Sequence, residues 1–153
     1  MITVFVEGKT VFNAVSRTRL ARKIENFTGL NPGPVRCCRV YRFPGGLAYE
    51  KVVLIASRLL SDPVTESFRF NRGLDQGESA VEIRLLEGES DISGQAVSSA
   101  AMDLGVHIHG AVRTGKLYLF MRKIRRTHLS RIAENILCNT VIERYSIIGG
   151  LRG

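Results

Sequence analysis

The chain has 153 residues, of which 44% are hydrophobic and only four are prolines, so its composition predicts a folded core and excludes intrinsic disorder. No apolar run approaches the roughly 20 residues of a membrane-spanning helix, and Glu7 and Lys9 come too early for a signal peptide. The formal net charge of +8 predicts a negatively charged partner without defining its kind. We therefore expect a cytoplasmic protein, and three cysteines without zinc-ligand spacing agree with that expectation.

The chain begins with a predicted strand and a predicted helix. Ile2, Val4 and Val6 alternate on one face of a strand that is expected to end at Gly8. A helix is predicted from about residue 12 to residue 27, closed by Gly29. Its apolar stripe is formed by Val15, Leu20, Ile24 and Phe27, and its solvent side by Arg17, Arg19, Arg22 and Lys23.

A strand, a helix and a short strand complete the first half. The strand covers residues 35–43, and because side chains alternate along it, Cys37 and Cys38 face opposite sides, so at least one of them is expected in the core. A helix over residues 48–60 follows, and a last strand over residues 64–70. The apolar positions of this helix are Val52, Ile55, Ala56 and Leu59.

The second half predicts the same five elements. A strand whose face is formed by Val81, Ile83 and Leu85 is expected to end at Gly88, and a helix covers about residues 93–104, closed by Gly105. Further predicted elements are a strand over 112–120, a helix over 127–137 and a strand over 141–148. The apolar positions of the two helices are Ala96, Val97, Ala100, Ala101 and Leu104, and then Leu129, Ile132, Ala133 and Ile136.

The two halves repeat at a constant offset of 77 positions, with no gap between Val35 and Phe68. Such a register predicts one small unit that was duplicated, so that the chain is a built-in pseudo-dimer. The predicted boundaries are residues 1–70 and 79–148 for the units, 71–78 for a linker and 149–153 for a tail. Identical pairs include Val35/Val112, Arg36/Arg113, Tyr41/Tyr118, Ile55/Ile132, Ala56/Ala133, Val64/Val141 and Glu66/Glu143.

The fold class is therefore expected to be α+β, with two β-α-β-α-β units and antiparallel sheets about a pseudo-twofold axis. A three-stranded sheet is too narrow to be stable with much of its apolar face open. The units are expected either to pack sheet to sheet or to join strand edges, which would protect edges that otherwise invite aggregation.

Residues arranged for catalysis or cofactor binding are not found at a convincing spacing. His107 and His109 alternate on a predicted strand, but no third ligand lies nearby, and an exposed pair near a loop is the better interpretation. Neither Gly45-Gly46, interpreted as a turn, nor Gly149-Gly150 is followed by the Lys-Ser/Thr helix of a phosphate loop. The acidic run of Glu87, Glu89 and Asp91 indicates a helix start.

Nucleic-acid binding is an alternative that the basic charge suggests. In the segment Arg113-Thr-Gly-Lys-Leu-Tyr-Leu-Phe120, Tyr118 and Phe120 could stack on bases as the aromatic strand of an RNA-recognition module does. Their counterparts Tyr41 and Phe43 are equally well explained as core residues.

Three segments of the second half resemble motifs of the PurS family, the small subunit of phosphoribosylformylglycinamidine synthase. Asp91-Ile-Ser-Gly-Gln-Ala-Val97 is similar to that family's Asp-Pro-Gln-Gly-Glu-Ala-Val, and Val112-Arg-Thr-Gly-Lys-Leu-Tyr118 to its Val-Arg-X-Gly-Lys. Leu137-Cys-Asn-Thr-Val-Ile-Glu-Arg-Tyr145 is similar to its Leu-X-Asn-Thr/Pro-Val-Ile-Glu-Asp-Tyr. The first half, through Phe5–Lys9 and Arg39–Leu47, resembles the opening of the large single-chain form of the enzyme.

The resemblance implies a noncatalytic assembly element of purine biosynthesis, built from two tandem PurS-like units. In that family it bridges the synthetase and glutaminase parts and helps to shield ammonia that passes between them. The chain itself is then expected to bind no cofactor or metal, whereas the complex uses ATP, Mg²⁺ and glutamine. It is expected to be either a free-standing double-length relative or a segment of something longer.

Arginine and aromatic anchors typically carry protein interfaces. The candidate interface residues are therefore Arg36, Arg39, Tyr41, Arg113, Lys116 and Tyr118. Expected partners are the synthetase and glutaminase parts, further homo-oligomerisation stays open, and no membrane partner is expected. Two other functions are left as alternatives: a tandem RNA-binding module, and a paired regulatory module that binds a small metabolite between the units.

Overall fold

The computed structural model describes residues 1–71 and 79–152, without the side chains of residues 10–13. This part of the chain has the predicted α+β fold, an antiparallel sheet with helices. The strands are β1 (Ile2–Gly8), β2 (Val35–Phe43), β3 (Glu66–Phe70), β4 (Ser79–Leu85), β5 (Arg113–Phe120) and β6 (Glu143–Gly149). The helices are α1 (Thr10–Thr28), α2 (Tyr49–Ile55), α3 (Ile92–Asp103) and α4 (Arg126–Ile132), and α2 and α4 continue into π-helical turns, Ala56–Leu60 and Ala133–Leu137.

The strands form one continuous six-stranded sheet in the order β3-β1-β2-β5-β4-β6, with every neighbouring pair antiparallel. β2 and β5 lie side by side at the centre, so the two halves of the chain join strand edge to strand edge. Of the two arrangements that the sequence left open, the structure has this one. The β2–β5 ladder removes two strand edges that would otherwise be exposed.

Most corresponding elements of the two halves are 77 positions apart, although α3 is shorter than α1 and starts 82 positions after it. β1 and β4 are seven-residue strands that start at Ile2 and Ser79, and α2 and α4 are seven-residue helices that start at Tyr49 and Arg126. In the central ladder, Arg39 pairs with Lys116, which is its own counterpart in the repeat. A pseudo-twofold axis therefore passes through this pair. Descent of the halves from one duplicated unit stays a prediction.

Each half of the sheet is covered by a helix of its own and a helix of the other half. One core cluster combines Val4 and Phe43 of the first half with Val97 of α3, which belongs to the second half. The other combines Val81 of the second half with Ile24 of α1, which belongs to the first. Full burial of one such aliphatic side chain contributes about 1.5–3 kcal/mol. Neither half closes its core alone, so the two halves are interlocked.

The opposite face of the sheet carries a smaller apolar cluster surrounded by charged side chains. Alternation along β2 and β5 places these residues on the face that does not meet the two larger cores. Glu7 and Glu82 are buried beside this cluster. Its members are Phe5, Cys38, Val40, Ala80, Leu117 and Leu119.

The predicted stripe of α1 is partly wrong. Ile24 is fully buried and Leu20 half-buried, but Val15 and Phe27 are 71% and 45% exposed. Arg17, predicted on the solvent side, is instead half-buried against the sheet. The less exposed side of α1 is formed by positions 17, 20, 24 and 28. This helix contacts both halves of the chain, because Arg17 bonds to Glu7 of the first half and Ile24 lies in the core cluster of the second.

The inner line of α3 also differs from the prediction in part. Val97 and Ala101 are buried as predicted, whereas Ala96 is exposed and Gly94 is buried in its place. A β-carbon on Gly94 would stand 2.0 Å from the carbonyl oxygen of Val112, so glycine permits the helix to approach the chain that enters β5.

The π-helical turns explain a further difference. Val52, Ile55 and Ala56 are fully buried as predicted, but Leu60 takes the place of Leu59, which is 36% exposed. A π turn closes its hydrogen bond one residue later than an α turn, so the next inward position shifts by one. The turn ends in a bond from the Ser61 amide to the Ala56 carbonyl. In the second half, Ile136 and Leu137 are both half-buried.

Several predicted boundaries also change. β4 ends at Leu85, so Gly88 lies in the following turn, and residues 106–109, which include both predicted strand histidines, form no strand. Gly149 belongs to β6, and Leu151 pairs with Arg125, so these residues are not a free tail. Of the predicted linker, Asn71 accepts a hydrogen bond from the Thr3 amide, and residues 72–78 lie outside the described part.

Candidate functional site

The seam between β2 and β5 leaves the centre of the helix-covered face open. Cys37, Arg39 and Lys116 are exposed there, while Val35 and Phe43 at the two ends of β2 are buried under the two interlocked cores. Strands at the centre of a sheet have their backbone groups paired on both sides, so only side chains are free to contact a partner here. Of the two exposed cations at the axis, Arg39 pairs with Glu66, so the positive charge of this opening rests on Lys116.

Arg39 is held in place by the first half. Its guanidinium donates hydrogen bonds to a Glu66 carboxylate oxygen at 2.6 Å and to the Leu60 carbonyl at 3.0 Å, and a longer one of 3.4 Å to the Tyr41 hydroxyl. The Leu60 carbonyl belongs to the π turn, so the shifted geometry of that turn also positions Arg39. Lys116 forms no ion pair or hydrogen bond within the part of the chain that the structure describes.

The tyrosines of the seam are counterparts in the repeat but differ in setting. Tyr41 is buried in the first core, and its direct partner across the ladder is Thr114. Tyr118 is half-buried against the second core and is paired with Cys37. Burial raises the pKa of the Tyr118 hydroxyl, and the adjacent Cys37 thiol raises it further, so this phenol stays neutral.

Arg36 lies on the other face of the sheet, in a buried ion-pair network. Its Nε and Nη2 atoms donate to the two oxygens of Glu7 at 2.7 and 2.8 Å. Arg17 and Arg69 donate to the same carboxylate at 2.9 and 3.0 Å. A buried carboxylate that binds three arginines holds α1, β2 and β3 to β1, so Arg36 has a structural role in this chain.

The Glu7 network also sets two ionisation states. Burial opposes ionisation of Glu7, but the hydrogen bond and charge of Arg36, together with Arg69, lower its pKa below the ordinary value. Cys38 donates a hydrogen bond to the same carboxylate, and burial, followed by the Glu7 charge, raises the pKa of Cys38 to about 12. Cys38 is thus an inert core thiol, as expected for one of the adjacent cysteines.

The structure separates the six candidate interface residues into two groups. Arg39, Tyr41, Lys116 and Tyr118 lie together on the seam side of the central strands. Arg36 and Arg113 lie on the opposite face, by the alternation of side chains. Arg36 is engaged with Glu7, whereas Arg113 is exposed and forms no ion pair among the described residues.

Asp91 and Thr114 connect α3 to the start of β5. Asp91 caps α3 by accepting a hydrogen bond of 2.8 Å from the Gly94 amide. Its oxygens also accept bonds from the Thr114 amide at 2.6 Å and the Thr114 hydroxyl at 2.8 Å. The helix-start interpretation of Asp91 is confirmed. The motif that begins at Asp91 and the motif that contains Arg113-Thr-Gly are therefore joined in space by one buried carboxylate.

Sequence reasoning missed the Glu7 network and the link from Asp91 to Thr114. A signal for the first was present, because Glu7 is the charged residue of an otherwise apolar strand, but periodicity does not say which arginines will reach it. For the second, the acidic run that ends at Asp91 indicated a helix start, whereas the contact with Thr114 depends on tertiary packing.

The remaining predicted positions give no further site. His107 and His109 are exposed, with ring centres 4.4 Å apart, and the described residues contain no group of three or more potential ligands that could hold a metal ion. Gly45 and Gly46 form the predicted turn between β2 and α2. Within the same residues, no helix is both long and apolar enough to cross a membrane.

Part of the chain matches a known protein family. Residues 78–149, a little under half of the chain, match the family model of PurS, described as phosphoribosylformylglycinamidine (FGAM) synthase. This segment runs from the start of β4 to the end of β6, and the match is consistent with a PurS-like domain there. It supports involvement in FGAM synthase and purine biosynthesis. Neither the curated proteins nor the solved structures gave a match.

Proposed function

We propose that the chain is a noncatalytic assembly domain or subunit of FGAM synthase, which bridges the synthetase and glutaminase parts and shields ammonia transfer between them. The observation that carries the proposal is the PurS match of residues 78–149. In this proposal the first half, most of whose elements lie 77 positions earlier and whose strands share the sheet, supplies a second unit of similar architecture.

The geometry of the seam supports a docking role. Arg39 and Lys116 are exposed at the axis, and the half-buried Tyr118 lies on the same face, whereas Tyr41 is buried in the first core. Arginine and tyrosine are among the residues that contribute most to protein interfaces. In this proposal, a partner that docks at the axis contacts both halves of the chain, which present related but unlike side chains there.

In this proposal, the chemistry belongs to the partners. ATP, Mg²⁺ and glutamine are bound by the synthetase and glutaminase parts, and this chain contributes no reacting group. Its contribution is positional: it holds two active sites in one assembly, so that ammonia released at one reaches the other without equilibrating with solvent.

The RNA-binding alternative gains no support from the aromatic side chains. Phe43 and Phe120 are fully buried, and Tyr41 is 9% exposed. Bases stack on exposed rings, so these residues are core residues in the described structure, and Tyr118 alone does not form a stacking platform. The net charge by itself does not favour RNA over an acidic protein surface.

The proposal is tested by co-expression of the chain with the synthetase and glutaminase parts, followed by affinity purification through a tag on this chain. We expect both parts to co-purify. The double variant Arg39→Glu/Lys116→Glu reverses the charge at the axis and is expected to weaken co-purification strongly. The matched variant Arg22→Glu/Lys23→Glu, which changes two exposed cations of α1, is expected to have little effect.

Thermal unfolding of both variants separates docking from folding, because Arg39 also pairs with Glu66 in this chain. Loss of co-purification in a variant that unfolds at the same temperature as the unmodified protein assigns the seam to docking. Failure of the unmodified chain to bind either part contradicts the proposal.

A further inference from the structure

Four arginines surround one cavity on the face of the sheet that does not meet the two larger cores. Arg42 of β2, Arg84 of β4, Arg113 of β5 and Arg144 of β6 line an open cavity of about 560 Å³. They come from four adjacent strands and from both halves of the chain.

These arginines are arranged as two like-charge pairs. Arg42 is the direct cross-strand partner of Arg113 in the β2–β5 ladder. Arg84 is the direct partner of Arg144 in the β4–β6 ladder. Like charges directly opposite each other on a sheet are destabilising, so the arrangement requires negative charge to offset it.

The chain supplies part of that charge through Glu82, which accepts hydrogen bonds from Arg42 and from Nη2 of Arg84 at 3.2 Å. Two other carboxylates line the cavity. The oxygens of Asp91 are occupied by Gly94 and Thr114, and Glu87 forms no ion pair among the described residues. Arg113 and Arg144 are exposed and form no ion pair with any residue that the structure describes. The buried Nε of Arg84 has no hydrogen-bond partner among the described residues.

The corresponding place in the first half shows what completes such a cluster. Position 7 is the counterpart of position 84, and position 36 of position 113. In the first half the Glu7 carboxylate lies there and binds Arg36 bidentately. In the second half, Arg84 replaces the glutamate, so Arg113 faces another cation where Arg36 faces a carboxylate.

We propose that this cavity, the arginine cavity, binds a phosphate group, which takes the place that the Glu7 carboxylate occupies in the first half. Arginine presents its donors in a planar fork that matches phosphate oxygens. The apolar side chains of Pro44 and Leu85 also line the cavity, and they provide contact for the organic part of a small phosphate monoester. The shared chemistry is the phosphate dianion, whether free or esterified.

This inference goes beyond the assembly role and does not depend on it, because it concerns a small anion bound by this chain alone. Titration calorimetry on the full chain, with inorganic phosphate and with ribose 5-phosphate at constant low ionic strength, tests it. We expect saturable binding with one site per chain. Tighter binding of ribose 5-phosphate assigns the cavity to a phosphate monoester, and equal or tighter binding of inorganic phosphate assigns it to the free ion.

The double variant Arg113→Gln/Arg144→Gln removes two cations that have no partner among the described residues, so we expect it to fold and to weaken binding at least tenfold. The matched variant Arg22→Gln/Arg58→Gln removes two exposed cations elsewhere and is expected to retain the affinity. Arg113 and Thr114 line the cavity, so their amide chemical shifts report on it and are expected to move on titration of the unmodified protein.

Three results would overturn the proposal. They are the absence of saturable binding of either anion, an equal loss of affinity in the matched variant, and binding of ribose as strong as that of ribose 5-phosphate. Binding of a glutamate-rich peptide in the cavity while phosphate fails to bind would identify a protein-docking surface instead.

Discussion

Arg39 and Lys116 face each other across the central ladder and are counterparts in the 77-residue repeat. Two residues related in this way can be direct partners only where a twofold axis crosses the sheet. At the seam, the backbones of the two halves are therefore related by the axis, and the halves differ there in their side chains. A partner that docks there contacts both halves at once.

The Glu7 network is expected to be a large contributor to stability at neutral pH. Replacement of Glu7 by Gln leaves Arg17, Arg36 and Arg69 without their shared counter-charge, and loss of one partner of a buried ion pair typically costs about 3–5 kcal/mol. Because Arg69 is partly exposed and solvent screens it, we expect a loss near the lower end of that range. The matched variant is Glu25→Gln on the exposed side of α1, with an expected change under about 0.5 kcal/mol.

The Glu7 contribution is also expected to depend on pH. Its pKa in the folded protein is lowered from 4.5, so the stabilisation is complete above the unfolded-state pKa and is lost as the pH falls through the folded-state pKa. Urea unfolding of the unmodified protein and of Glu7→Gln is expected to show a large difference at pH 7 that shrinks below about pH 4. A difference that stays constant over this range would show that Glu7 acts without its charge.

The π turn predicts opposite roles for two adjacent leucines. Leu60→Ala removes a side chain that is 4% exposed and is expected to cost about 2–4 kcal/mol. Leu59→Ala, the position that regular α-helical spacing favours as core, is expected to cost less than about 1 kcal/mol, because Leu59 is 36% exposed. Chemical unfolding of both variants checks the π turn, and the reverse order of the two losses would show that the helix keeps α spacing.

Interlocking of the halves predicts that α1 stabilises the second half of the chain. Ile24→Ala is expected to cost about 2–4 kcal/mol and to reduce amide-exchange protection in β4 and α4, since Ile24 belongs to the same core cluster as Val81 and Leu129. Val15→Ala on the same helix is the control and is expected to be nearly neutral, because Val15 is 71% exposed. Loss of protection confined to the first half would contradict the packing of α1 onto the second half.

The Asp91 carboxylate is expected to stabilise the fold through the hydrogen bonds that its oxygens accept, and not through its charge alone. Asp91→Ala removes the cap of α3 and leaves the amides of Gly94 and Thr114 without an acceptor, with an expected loss of about 2–3 kcal/mol. Asp91→Asn keeps one acceptor oxygen and is expected to lose less. Thermal unfolding that finds the two variants equal would indicate that the negative charge is what matters.

Strand and helix positions were predictable because alternation and helical spacing are local properties. The 77-residue offset also places a similar pattern of apolar residues in each half, so the elements predicted in one half could be compared with those in the other. It was not predictable that α1 and α3 each cover the strands of the other half. The periodicity of Leu20 and Ile24 shows that one face of α1 is apolar, but it does not show which strands that face covers. Leu60 was missed because a π turn changes the period without a marker in the residues themselves.

The candidate site was predictable only in part. Alternation along β2 already places Arg36 and Arg39 on opposite faces, but nothing in the sequence pairs Arg36 with a glutamate 29 positions away. The arginine cavity depends on which strands are neighbours, and that follows from the β2–β5 and β4–β6 ladders. Such relations require the three-dimensional structure.

The most direct test of the assembly proposal compares two nitrogen sources in a reconstituted reaction. The synthetase and glutaminase parts are assayed for FGAM formation with glutamine and, separately, with ammonium salt, in the presence and absence of this chain. A bridging, noncatalytic role predicts that glutamine-dependent formation requires the chain, whereas ammonium-dependent formation does not. Glutamine-dependent formation that is equally fast without the chain would contradict the role proposed for it.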